Sequence, residues 1–121
     1  ALWFVHIQWA QLLWLDRLVS GGSPPRPLPG SFDAPRLLDR QLELAARWQA
    51  LLADADDLLG RGNVAYTSTT GEEHILAPTD IVTHVVNHAT HHRAQISAIL
   101  RQEGLSPPPI DYVFFALSDS D

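Results

Sequence analysis

Apolar positions recur with a helical period in three stretches of this chain, and each predicts a helix. The first covers residues 2 to 19 and ends at Ser20, Gly21 and Gly22, with "SPPRPLPGS" as a linker behind it. Stepping about 100° per residue puts Gln8 and Gln11 roughly opposite His6. Leu2, Trp3, Trp9, Ala10 and Leu13 share the His6 side, so this histidine points inward. Apolar residues nearly encircle this helix, which therefore needs neighbours on several sides. A preceding helix or a partner subunit is the expected cover. Because His6, Gln8, Gln11, Asp16 and Arg17 interrupt the stretch and no basic segment leads it, it reads as a buried helix, not a signal peptide or membrane span.

The second helix opens at "FDAPR", with Asp33 as N-cap and Pro35 inside the first turn. Leu38, Leu42, Ala45, Trp48, Leu52, Ala55 and Leu59 then recur at helical spacing up to a stop at Gly60. Asp39, Arg40, Glu43 and Arg47 mark its solvated face. Residues 61 to 77 lose the period, and "VAYTSTTGEEHIL" predicts a short β-hairpin turning near Gly71, with His74 at the surface. The third helix runs through "PTDIVTHVVNHATHHRAQISAILRQEG", capped by Thr79 or Asp80 and ended by Gly104. The "SPPPI" that follows cannot be helical, and Tyr112, Val113, Phe114 and Phe115 are expected to fold back onto the bundle. No internal repeat or second domain is visible, so residues 1–121 read as one all-α domain with three helices.

Three of the six histidines fall within "NHATHHRAQ", residues 87 to 95. With Ile81 at zero, Ile81, Val85, Ala89, Ile96 and Ile99 form an apolar stripe that Val82, Val86 and Leu100 widen. His92 lies inside that stripe and His88 at its border, whereas His84 and His91 sit on the flank. His88 and His92, one turn apart, are close enough to reach a single ion, and a metal would satisfy two imidazoles that are costly to bury alone. The inward His6 is the remaining histidine with a suitable orientation. His84 with His88 is the competing pair at the same spacing.

Composition narrows the chemistry. The net charge is −6 and all eight basic residues are arginine, so no basic patch for nucleic acid or an anionic membrane is present. The absence of cysteine removes thiolate ligands and a cysteine nucleophile and is compatible with the cytoplasm. No nucleophile elbow, phosphate loop or dinucleotide fingerprint occurs, and Ala89 stands where a zinc protease helix would carry its glutamate. "TGEEH" and "YTSTT" lack partner groups nearby. Trp3, Trp9, Trp14 and Trp48 serve either a pocket wall or the core.

"HIQWAQLLWLDRL", followed at a distance by "GEEHILAPTDIVTHVVNHATHHRAQISAILRQEGLSPPPIDYVFF", resembles the DinB-like family of bacterial helical bundles over nearly the whole chain. The motif that carries the resemblance is NHxxHHRxQ, then LRxxG, then PPxxD. It implies an up-down-down-up four-helix bundle, commonly a homodimer, with a three-histidine site for a divalent metal, zinc or nickel. Residue by residue it places the ligands at His6, His88 and His92. The family has a further helix before the one bearing the first histidine, so this chain is expected to lack that helix or to borrow one. Ala94 also replaces the usual glycine. Relatives of this fold include S-transferases of low-molecular-weight thiols and a mycothiol-dependent isomerase, so a metal-dependent enzyme acting on a small-molecule thiol or electrophile is the implied function. The rival expectation is a non-catalytic metal-binding bundle working through dimerisation or a partner. No general base stands out; His84 and His91 are candidates by position, and Gln95 by its place behind a ligand.

Overall fold

A computed structural model describes residues 2–20 and 34–118. Its elements are α1 (Leu2–Ser20), α2 (Ala34–Ala53), α3 (Ala55–Gly60), β1 (Val64–Thr67), β2 (Glu73–Leu76), α4 (Pro78–Gln102) and α5 (Tyr112–Ser118). The predominantly helical architecture with one small hairpin agrees with the all-α expectation. The linker and the expected Asp33 cap lie outside the described residues.

The central element is α1, which packs against α2, α4 and β1. Its burial on several sides follows from its near-continuous apolar surface. Ile7, Ala10, Leu13, Trp14, Leu15 and Leu18 are buried, and so are Gln8, Gln11 and Arg17. The two glutamines offset part of the cost of burial by bonding to α2, although Gln8 Oε1 stays buried without a partner among the described residues. Gln8 Nε2 donates to the Leu37 carbonyl at 2.6 Å, and Gln41 Nε2 donates to Gln11 Oε1 at 3.3 Å. An ion pair at 3.8 Å between Arg47 and Asp16 continues the series. Contacts thus advance together along both helices, which makes α1 and α2 parallel.

Against α4 the order reverses. His6 meets His88, while Trp14 further along α1 meets His84 one turn earlier on α4. These helices are antiparallel, so α1, α2 and α4 supply the down-down-up portion of the expected bundle. Their core joins Trp14, Leu15, Leu18, Trp48, Leu58, Val64 and Ile81, with Ile81 at 0% exposure.

Several local expectations are corrected. The second helix breaks at Asp54, whose non-helical backbone (φ −111°, ψ 80°) starts α3 and whose carboxylate accepts the Asp57 N–H at 2.9 Å. The buried row of α2 is Leu37, Leu44 and Trp48, whereas Leu38, Leu42 and Leu52 of the expected stripe stay exposed. The helix carries two adjacent apolar rows and α1 covers one. Of the exposed leucines, Leu52 borders a cleft of about 230 Å³ between α2 and α4 together with Ala45, Val82 and Val86, and Leu38 lines a separate cleft with Phe4 and Ile7 of α1. At the start of α4 the cap is Ala77, without a side-chain bond; Pro78 opens the helix and Asp80 lies in its first turn. There its charge favours the helix N-terminus without capping it.

The hairpin pairs Val64 with Leu76 through Thr67 with Glu73, antiparallel. It turns as expected beside Gly71, whose φ of +89° suits a residue without Cβ. The hairpin is tied to α1 by the buried Arg17, whose guanidinium lies 4.4 Å from both the Trp14 and Tyr66 rings and donates to the Thr67 carbonyl at 3.0 Å. Gly104 (φ +79°) ends α4 as expected: its N–H bonds to the Arg101 carbonyl and that of Leu105 to the Leu100 carbonyl. Tyr112, Val113, Phe114 and Phe115 form α5 but do not fold back to bury themselves, and Tyr112 is 77% exposed. The proline run keeps the chain extended, and a cleft of about 550 Å³ separates α5 from Val86, Thr90 and Ala94 of α4.

Candidate metal centre

The α1–α4 contact carries His6 onto the turn between His88 and His92. His88 Nε2 lies 3.1 Å from His6 Nε2 and 3.2 Å from His92 Nε2. The three ligand atoms fall within 4.8 Å of one another, making a group able to hold a metal ion. His92 is buried and the other two are half-buried. These are the three residues that orientation selected in the sequence.

Hydrogen bonding alone leaves this cluster unsatisfied. An imidazole nitrogen has one in-plane site, occupied either by a hydrogen or by a lone pair. His88 Nε2 faces two other Nε2 atoms and can satisfy one of them. A cation accepts all three lone pairs. Ligand distances of about 2.0–2.1 Å imply nitrogen separations of about 3.0 Å at right angles and about 3.4 Å in a tetrahedron. The observed 3.1 and 3.2 Å lie between these limits.

Burial and neighbouring imidazoles keep His88 and His6 neutral, as ligation requires. The His88 pKa is pushed down to about 4, first by burial and then by the neighbouring imidazoles of His92, His6, His84 and His91. His6 is lowered too, by burial and then by His92. The Gln95 Oε1 lies 2.7 Å from His92 Nδ1. A carbonyl oxygen can only accept, so in this contact Nδ1 is the donor, and an imidazole with its single hydrogen on Nδ1 has a lone pair at Nε2.

Aromatic rings wall the cluster. Trp3 stacks on His92 at 4.6 Å with planes 20° apart, and Trp9 lies against His6 at 6.2 Å. Both stand three residues from His6 on α1, a spacing that puts them beside it, although core packing is the commoner fate of such residues when read from sequence. Trp14 and Trp48 took the core role. His84 sits 5.5 Å from the His88 ring and against Trp14, and His91 is 5.1 Å from the His92 ring; both are exposed neighbours outside the three-nitrogen group. His74 lies on the hairpin beside Glu72 and is not part of the three-histidine group.

A helical bundle that brings one imidazole from α1 and two from α4 together defines a class, the bundles whose facing helices carry a histidine cluster that could hold an ion. Within that class the chain belongs to the DinB family, whose family model matches residues 3–120. It is also similar to "Protein DinB" of Bacillus subtilis (strain 168), with 50% identity over 34 residues. That match takes in 28% of this chain and 20% of the relative's length. No solved structure matches the chain.

Proposed function

We propose that the protein is a divalent-metal-binding DinB protein, its ion held by His6, His88 and His92, and that it acts as a metal-dependent enzyme of the thiol S-transferase-like group. The observation that carries the metal reading is the approach of His88 Nε2 to both other Nε2 atoms at 3.1 and 3.2 Å, a contact that two hydrogen bonds cannot satisfy. Zinc or nickel is the expected ion, since imidazole donors suit both. The described group contains no carboxylate or thiolate, so the ion would keep its full charge. With three protein ligands it would retain room for a small molecule, lower the pKa of a thiol or water held there, and polarise an electrophile.

The chain's own residues would bind and exclude. Trp3 and Trp9 shield the imidazole faces from water, and the depressed pKa of His88 keeps its lone pair available at neutral pH. His84 and His91 stand at the rim as groups able to exchange a proton with a bound ligand. A homodimer would cover apolar side chains that the chain leaves exposed, among them Leu38, Leu42, Val113, Phe114 and Phe115. No described helix is long and apolar enough to cross a membrane. With no cysteine to pair, the chain suits the cytoplasm, where low-molecular-weight thiols are reduced.

The test is conjugation of bacillithiol, mycothiol or glutathione to a small electrophile by the zinc- or nickel-loaded protein, followed by mass spectrometry. Metal-dependent product that disappears in His88→Ala supports the enzyme. Absence of product with all three thiols contradicts it. If metal removal then unfolds the domain, the ion is a structural tie between α1 and α4.

A further inference from the structure

Among the three clustered imidazoles, one is held at its far edge. His92 Nδ1 meets Gln95 Oε1 at 2.7 Å, while the Nδ1 atoms of His6 and His88 have no hydrogen bond among the described residues. We propose that Gln95 is the positioning residue of this centre: by accepting the His92 Nδ1–H it fixes the tautomer whose Nε2 lone pair points at His88 and His6. This rests on the metal-binding reading only for its consequence, since the tautomer belongs to the chain itself.

The chemistry is selective. Were Nδ1 bare, the hydrogen would sit on Nε2, directed at the point where the three nitrogens converge, and that nitrogen could not ligate. Residue 95 follows His92 by three positions, so both occupy one face of α4 and the bond forms within a single element. It therefore persists whether or not α1 is docked. The ring plane is set independently by Trp3, stacked at 4.6 Å on the opposite side of the contact from α4. Edge and face of His92 are both constrained, which leaves His88 and His6 to adapt around it. An amide, unlike a carboxylate, does this without adding charge beside the ion.

The experiment uses metal-free protein labelled with nitrogen-15 at histidine, in wild type, Gln95→Leu and Gln95→Glu, read by imidazole nitrogen shifts above pH 7. Zinc titrated alone into the same samples gives affinities. Wild type and Gln95→Glu should show His92 with its hydrogen on Nδ1, and Gln95→Leu a mixture or the Nε2–H form. Zinc should bind Gln95→Leu about 10–100-fold more weakly, with Gln95→Glu near wild type. An Nδ1–H tautomer unchanged in Gln95→Leu overturns the proposal, as does undiminished zinc affinity in that variant. Should wild type bind no zinc while the tautomer still switches in Gln95→Leu, the positioning role stands and the metal reading falls.

Discussion

Acidifying the metal-free protein should weaken it through His88. In the unfolded chain this imidazole titrates near its ordinary 6.5, whereas in the folded chain it does so at about 4. Between those values the unfolded state binds more protons than the folded one, so stability falls as pH falls through this window and levels off below it. Linkage with these two values amounts to about 2 kcal/mol lost between pH 7.5 and pH 5. Because the ring is partly exposed, solvent screening brings the expected loss nearer 1 kcal/mol. At a urea m-value of about 1.5 kcal/mol/M, the unfolding midpoint should drop by roughly 0.7 M. The assay is urea denaturation with chelator present, at both pH values, for wild type and His88→Gln. The variant should keep a smaller acid loss, since the downward shift of His6 works in the same direction. If His88→Gln loses as much stability on acidification as wild type, the burial and clustering argument for His88 is wrong.

Two further substitutions probe what positions the site. Arg17→Met removes the guanidinium from between Trp14 and Tyr66 and its bond to the Thr67 carbonyl; a loss of about 1–3 kcal/mol is expected, with faster amide exchange in the hairpin than in α4. Unchanged hairpin protection would refute the tie. Gly104→Ala adds a methyl group where nothing lies within 4 Å, so its cost is conformational alone, about 1 kcal/mol from the positive φ. A neutral result by thermal or urea unfolding would mean that the end of α4 relaxes freely.

The site was more legible than the surfaces around it, for a physical reason. Inward orientation of His6 and a one-turn spacing on α4 are properties of single helices, and sequence periodicity reports those directly. Which of two apolar rows on α2 meets α1 is a packing choice, decided by the fit of Leu37, Leu44 and Trp48 and by bonds from Gln8 and Gln41 that no period encodes. The break at Asp54 was hidden because aspartate is tolerated within helices as well as at their starts, and the apolar rhythm resumes at Leu58. Aromatic residues in "YVFF" argued for burial by composition, yet α5 buries none of its residues against the described helices. Arg17 was read as an interruption of an apolar helix. Its burial depends on Tyr66 arriving from a hairpin nearly fifty residues later.

The most direct test of the account is the metal content of the protein, purified without chelator or histidine tag and measured by plasma mass spectrometry beside His6→Ala, His88→Ala and His92→Ala. Near-stoichiometric zinc or nickel in wild type, lost in all three variants while the helical signal remains, is the predicted result. A folded wild type that holds no metal and takes none up from added zinc or nickel would contradict it, and the three imidazoles would then be packing residues.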